Sequence, residues 1–122
     1  MMTSYVSLSD EAIDEHTQVV RAQGELDLYA APEFKRRLAD TIEAGKTRVV
    51  VDLTEAAFMD STALGVLIGA LKRLRVRDCA LAVASEQPTI LCILGITGMD
   101  QVLELHATAD EALAAVASSG EV

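Results

Sequence analysis

The sequence predicts an α/β fold, a small parallel or mixed sheet of about four to five strands with about four helices packed on it. The first observation is the apolar, mostly β-branched run 48–53, which is typical of a central strand buried on both faces. The second is the long apolar pattern at helical spacing that follows it after a short polar break. The third is the alternation of strand-like and helix-like segments elsewhere, which favours a largely parallel sheet.

The N-terminal part of the chain predicts a hairpin followed by a helix. Residues 3–8 and 17–23 resemble strands, and an acidic segment, 10–15, separates them. The first helix begins near Pro32 and ends at Gly45, because proline suits a first helical turn and glycine terminates helices. Its buried stripe recurs every four residues, at Phe34, Leu38 and Ile42.

The central part predicts strand 48–53 and then a helix over 62–77. Apolar residues of this helix repeat at helical spacing, at Leu64, Leu67, Ile68, Leu71 and Leu74. Gly65 and Gly69 are four residues apart, so they lie on one side of the helix. Because glycine destabilises a helix interior by about 1 kcal/mol relative to alanine, close packing against the sheet or against a partner is expected there.

The C-terminal part predicts strand 79–84, a helix over 88–96, the edge strand 102–105 and a last helix ending near residue 117. A capping box formed by Thr108 and Glu111 begins this last helix. The 88–96 segment is apolar almost all round, which indicates either deep burial or a contact surface. We expect burial.

Composition limits the possible functions. The chain of 122 residues is expected to form one domain, 1–122, and its 51% hydrophobic content supports a core. No apolar run is long enough to span a membrane and no export signal is visible, so a cytoplasmic protein is expected. The net charge of −9 argues against nucleic-acid binding. Four basic residues cluster and indicate either complementation of a helix dipole or a surface for an acidic partner: Lys72, Arg73, Arg75 and Arg77.

Cysteine and histidine residues suggest no metal chemistry. Cys79 and Cys92 lie in apolar segments and are expected to be buried free thiols rather than a disulfide. His16 and His106 are distant in sequence and have no nearby ligand at metal-binding spacing, so neither a metal site nor a cofactor is expected.

Ser61 follows a predicted strand and precedes a predicted helix, as the nucleophile of a hydrolase would. The flanking residues lack the small side chains of a nucleophile elbow, and neither histidine is placed as a base. There is no glycine-rich phosphate loop with a lysine. Asp27, Asp52 and Asp60 are predicted at strand ends, yet they do not form the acidic cluster of a receiver domain. We therefore expect no catalysis.

The junction at Asp60 and Ser61 is the predicted functional site. In the simpler interpretation, these residues only cap the helix by accepting hydrogen bonds from free N–H groups of its first turn. In the functional interpretation, the same donors and the positive end of the helix dipole stabilise an anion attached to Ser61. Both interpretations follow from the local chemistry.

Residues 58–67, Phe-Met-Asp-Ser-Thr-Ala-Leu-Gly-Val-Leu, resemble the signature of the STAS domain, and within it the bacterial anti-sigma-factor antagonists. Residues 24–27 resemble the second motif of this family, before the first helix. Residues 97–100, with the strand and helix that follow, resemble its C-terminal pattern. The resemblance covers nearly the whole chain in matching order and implies a STAS-like fold.

The resemblance also implies a switch. An unmodified antagonist binds an anti-sigma factor that is also a serine kinase and thereby releases the sigma factor; phosphorylation ends this binding and a phosphatase restores it. Ser61 matches the phosphoacceptor, with Thr62 as the fallback, and the kinase would supply ATP and Mg²⁺. Ala63 stands where the family most often has glycine, and its methyl group is expected to narrow the approach to Ser61. The implied partner-binding residues are Asp27, Asp60, Ser61, Thr62, Ala63, Leu64 and Gly65.

Two alternatives remain at the level of sequence. The first is a STAS subunit of another assembly, a stress-signalling scaffold or a lipid-transport complex, without a phosphorylation switch. The second is a small serine hydrolase that uses Ser61 as its nucleophile.

Overall fold

The computed structural model describes residues 6–118, which form one five-stranded sheet with four α-helices packed on it. The predicted α/β class is confirmed. The strands are β1 (Val6–Ala12), β2 (Thr17–Leu26), β3 (Arg48–Met59), β4 (Ala80–Ala84) and β5 (Glu104–His106). The helices are α1 (Ala31–Glu43), α2 (Ser61–Val76), α3 (Pro88–Ile96) and α4 (Ala109–Ser118), and a short 3₁₀ turn, Met99–Gln101, precedes β5.

The strands lie in chain order across the sheet, β1-β2-β3-β4-β5. The β1–β2 hairpin is antiparallel and the remaining neighbours are parallel, as predicted. Right-handed connections between consecutive parallel strands place their helices on the same face. Accordingly, α1, α2 and α3 contribute to one large core cluster, and α4 packs on the opposite face.

The core lies on both sides of β3. Residues 49–53 of this strand are buried, which confirms the predicted two-sided burial. On one face the helices insert large apolar side chains, among them Phe34, Leu38, Leu67 and Leu74. On the other face, α4 packs Ala112 and Val116 against small residues of the sheet. Residues 3–5 of the predicted first strand lie outside the described residues.

The strands β2 and β3 continue beyond their predicted ends. The predicted polar break after residue 53 is wrong, because β3 runs through it to Met59, and β2 reaches Leu26. The pairing of β2 with β3 shifts register twice, between Arg21 and Gln23 and between Gly24 and Glu25, and β3 has one extra residue at each shift. Such β-bulges let two strands stay paired while their twist changes. Gly24 lies at the second shift with φ of 97°, a conformation that favours glycine. Acidic residues 10 and 11, predicted to lie between strands, belong to β1.

Burial of α3 was predicted wrongly. Only Ile90 and Leu94 of this helix are buried, because the helix packs on the sheet with one side and no described strand or helix buries its other side. Ile96 is 80% exposed and Cys92 is also exposed. Both cysteines are free, as expected, but Cys92 is not buried and Cys79 is only half-buried.

The ends of α2 and α4 use the predicted polar groups with some differences. The hydroxyl of Thr108 accepts from the N–H of Glu111, while the carboxylate of Glu111 accepts from the N–H of Ala107 rather than from Thr108. Arg75 and Arg77, near the end of α2, donate to backbone carbonyls of Val102 and Ile42. These two members of the basic cluster therefore have structural partners.

Asp52 lies inside β3 and not at a strand end, as the sequence had suggested. Its buried carboxylate accepts from Arg21 Nε at 2.9 Å and from the Thr54 hydroxyl at 2.7 Å. Burial opposes ionisation of the carboxyl group, but the hydrogen bonds from Thr54 and Arg21 outweigh it and lower the pKa of Asp52. The ion pair between Arg21 and Asp52 therefore joins β2 to β3.

We expect Asp52→Asn to lower the free energy of unfolding by about 1–3 kcal/mol at pH 7, because the one-third-exposed Arg21 loses its buried anionic partner and keeps only the more exposed Glu11 at 3.4 Å. The folded pKa is depressed, so the stabilisation is complete at neutral pH and declines as pH falls below about 3.9. Urea unfolding should therefore show the gap between variant and wild type shrinking towards pH 3. Glu86→Gln, at an exposed position, is the control, and a gap independent of pH would contradict the assignment.

Candidate functional site

The site lies at the carboxyl edge of the sheet, where β2 and β3 end and α1 and α2 begin. Parallel strands bring their carboxyl ends to one edge, where binding sites of open α/β sheets gather. The N–H of Asp60 donates to the carbonyl of Leu26 at 3.1 Å, so the two loops are held side by side. This hydrogen bond places Asp27 next to the start of α2.

Asp60 is the N-cap of α2. Its backbone is extended, and its carboxylate accepts from the N–H of Ala63 at 3.0 Å. Its carbonyl accepts from the N–H of Leu64 at 3.0 Å, which is the first intrahelical bond. The cap predicted for the pair Asp60 and Ser61 is therefore supplied by Asp60.

Ser61 is the first residue of α2 and its side chain is exposed. Within residues 6–118, its hydroxyl makes no hydrogen bond, and the N–H groups of Ser61 and Thr62 donate to no described group. The exposed hydroxyl is thus next to two open donors at the positive end of a helix. This arrangement suits an anionic group attached to Ser61.

Ala63 does not obstruct Ser61. The residue is fully buried, so its methyl group points into the core beneath α2 and away from the solvent side where Ser61 lies. The expectation that this methyl narrows the approach to the serine is wrong. Leu64 is likewise buried, whereas Thr62 and Gly65 are exposed.

Asp27 adds a second carboxylate to this edge. Its oxygen accepts from the N–H groups of Tyr29 and Ala30 at 3.0 and 3.1 Å, which orders the loop before α1. The residues predicted to bind the partner fall into an accessible group and a buried group. Asp27, Asp60, Ser61, Thr62 and Gly65 reach the surface at least in part, and Ala63 and Leu64 support the helix from below.

The sequence interpretation missed an apolar rim around the site, formed by Leu28, Tyr29, Phe58 and Ile96. Tyr29 is 81% exposed directly after Asp27, and Phe58 is exposed three residues before Ser61. Phe58 and Ile96 also line an open depression of about 470 Å³ between the end of β3 and α3. The sequence did contain one sign of this surface, because the adjacent apolar residues Leu28 and Tyr29 lie in a loop before a helix.

Neither histidine can act as a base for Ser61. The carbonyl of His16 accepts from the N–H groups that begin β3, at the opposite end of this strand. His106 of β5 pairs with Ala84 of β4, and Ala84 pairs with Asp52 of β3, so His106 lies across the sheet from Asp52. Asp52 is seven residues, or about 23 Å along β3, from Met59, which is the end of the strand where Ser61 lies. The hydrolase alternative therefore has no histidine base within the part of the chain that the structure describes.

Within residues 6–118, no three His, Cys, Asp or Glu side chains come together as possible metal ligands. None of the helices described is long and apolar enough to cross a membrane.

The sequence pattern of the STAS domain family matches residues 10–112, which include every part of the site. The chain belongs to the STAS domain family. A curated relative, the anti-sigma-B factor antagonist of Listeria monocytogenes, is 38% identical over 84 residues, which cover 67% of this chain and 72% of the relative. The corresponding protein of Staphylococcus epidermidis is 33% identical over 87 residues, 71% of this chain and 81% of that protein.

Solved structures share the STAS fold. The crystal structure of an anti-sigma factor antagonist from Mycobacterium paratuberculosis is 25% identical, with a TM-score of 0.85 over 93% of this chain and 95% of that one. The Bacillus cell fate determinant SpoIIAA in its phosphorylated form is 22% identical, with a TM-score of 0.72 over 90% of this chain and 99% of that one. The second likeness supports the fold alone.

Because Asp60 caps α2 and Ser61 does not, substitutions of these two residues in this STAS domain should affect stability differently. We expect Asp60→Ala to lower the free energy of unfolding by about 1 kcal/mol, because α2 loses its side-chain cap. Asp60→Asn retains a capping oxygen and serves as the matched control, and Ser61→Ala removes an exposed hydroxyl without a described partner, so both should be close to wild type. Thermal and urea unfolding measure the difference. Equal losses for Asp60→Ala and Ser61→Ala would contradict this division of roles.

Proposed function

We propose that this chain is an anti-sigma factor antagonist that binds its anti-sigma factor around the start of α2, and that phosphorylation of Ser61 ends this binding. The observation that carries the proposal is the exposed Ser61 hydroxyl beside two open N–H groups, with the cap supplied by its neighbour Asp60. The protein acts by binding and not by catalysis. Its partner binds ATP and Mg²⁺ and transfers the phosphate.

The relatives support the coarser part of the proposal. Curated relatives of more than 30% identity are named anti-sigma-B factor antagonists, and they align over about two thirds of the chain. A protein of the same fold has been solved in phosphorylated and unphosphorylated forms. An anti-sigma factor is therefore the partner, while its kinase activity, a cognate phosphatase and a cytoplasmic location for this STAS domain belong to the proposal.

The unphosphorylated surface is suited to docking. The apolar rim exposes two aromatic side chains, and aromatic residues are enriched at the centres of protein interfaces. The Ser61 hydroxyl is small and neutral, so a partner can approach the start of α2 closely. Asp27 and Asp60 use carboxylate oxygens within their own loops, which keeps this surface ordered before the partner binds.

A phosphate on Ser61 changes the interface and leaves the fold intact. In the free protein, the group is solvated, and the open N–H groups and the dipole of α2 favour its charge of about −1.5 to −2. In the complex it lies between two surfaces and beside the carboxylate of Asp60, so it is desolvated and repelled. A loss of about 3–4 kcal/mol corresponds to binding weaker by about 10²–10³-fold.

The phosphoacceptor is tested by incubating the protein with its cognate anti-sigma factor and ATP, followed by mass spectrometry. We expect one phosphate on the wild type and on Thr62→Ala, and none on Ser61→Ala, because only Ser61 combines an exposed hydroxyl with the first helical position. Labelling of Ser61→Ala at the wild-type level would remove Ser61 from the proposal. Labelling lost in Thr62→Ala alone would move the acceptor to Thr62.

The electrostatic part is tested with Ser61→Asp and the neutral isostere Ser61→Asn. We expect Ser61→Asp to unfold at the wild-type temperature or slightly above it, because a negative charge suits the first turn of a helix. Its affinity for the anti-sigma factor, measured by calorimetry, should fall by at least about tenfold, and Ser61→Asn should lose much less. Equal affinities for the two variants would show that charge is not the cause.

A further inference from the structure

The groove between α1 and α2 is a second surface feature near Ser61. It has a volume of about 470 Å³ and runs along the two parallel helices from Lys35 and Thr62 at one end to Ile42 and Arg73 at the other. Its length along α2, from residue 62 to residue 73, is about 16 Å, or three helical turns. Its floor is made of small and apolar residues: Leu38, Ala39, Gly65, Val66, Gly69 and Ala70.

The two glycines of α2 have no explanation within the described chain. A Cβ atom added at Gly65 or at Gly69 would meet nothing within 4 Å, so neither residue is required for packing on the sheet. Both have ordinary helical backbone, where alanine is more stable. Of the two reasons that the sequence allowed for these glycines, packing on the sheet is therefore wrong. Close approach of another molecule to the backbone of α2 remains.

The charges of the groove indicate the chemistry of its occupant. Lys35 and Arg73 lie near its two ends, and no acidic residue lines it. Among the described residues Lys35 has no ion-pair partner, and Arg73 has only a 3.9 Å contact with the exposed Glu43. On a chain with net charge −9, two cations flanking an apolar floor favour a segment that carries acidic side chains.

We propose that this groove receives an acidic, amphipathic segment of the anti-sigma factor, so that docking extends from Ser61 along α1 and α2. Thr62 lines the groove and directly follows Ser61, so one partner that fills the groove also covers the serine. A helix of about three turns matches the groove in length, and helix-in-groove recognition relies on this combination of apolar floor and charged ends. The inference rests on the proposed function and adds α1 and the far half of α2 to the interface.

The glycines are tested with the double variant Gly65→Ala/Gly69→Ala. We expect its melting temperature to rise, because alanine stabilises a helix relative to glycine. We also expect its affinity for the cognate anti-sigma factor to fall by about tenfold or more, since two methyl groups occupy space that the partner needs. Gly95→Ala in α3, outside the groove, is the matched control and should bind like the wild type. A double variant that is not stabilised, or that binds like the wild type, would overturn the inference.

The charges are tested with Lys35→Glu and the matched reversal Lys72→Glu, which lies on α2 but does not line the groove. We expect Lys35→Glu to weaken binding by about tenfold and to reduce its salt dependence, whereas Lys72→Glu changes affinity less than threefold. Equal effects of the two reversals would overturn the inference.

The two proposals fail in different ways. If wild-type protein does not bind the anti-sigma factor, both fall. If wild type binds and Ser61→Asp is released, but the groove variants bind normally, only the groove is wrong. A wild-type dimer that becomes monomeric in the groove variants would assign the groove to a second copy of this chain and would also overturn the inference.

Discussion

The hydrogen bond from the N–H of Asp60 to the carbonyl of Leu26 joins the two loops on which the site depends. It directly follows the last pair of β2 and β3, Leu26 with Met59, and these strands stay paired up to that point through two irregularities in register. If β2 and β3 were paired over a shorter length, the loop that carries Asp27 and Tyr29 would not be held beside the start of α2. The bulged ends of the strands therefore serve to bring a polar loop, an apolar rim and a helix start to one place.

Either Asp60 or Ser61 could cap α2, and Asp60 is the residue that does so. A serine at the N-cap would hold its hydroxyl in a hydrogen bond to the helix, and the hydroxyl would be less available for modification. With Asp60 as the cap, the hydroxyl of Ser61 faces solvent. The neighbouring carboxylate also adds to the repulsion that a phosphate would create at an interface.

The sequence predicted the fold class, the element order and the strand-to-helix junction at Asp60 and Ser61, because these follow from local patterns. The apolar run 48–53, the Asp60-Ser61 junction and the proline and glycine at the ends of α1 each act within a few residues. The predicted length of β3 was too short, because its polar residues 54 and 55 belong to the strand through pairing with β2 and are not buried. Exposure of α3 and the inward direction of Ala63 depend on which side of a helix meets the sheet, and an all-apolar helix contains no signal for this choice.

The two faces of α2 explain how a local modification could control binding without altering the fold. The inner face is fixed by Ala63, Leu64, Leu67, Leu71 and Leu74, which are all buried in the main cluster. In the proposed switch, a phosphate at the exposed first residue would leave these contacts unchanged, and the helix dipole would favour its charge. The outer face includes the exposed Gly65 and Gly69, where an added Cβ atom would meet nothing within 4 Å. In the proposed switch, a partner would contact the phosphate only in the complex, so the electrostatic cost would weaken binding and would leave the fold unchanged.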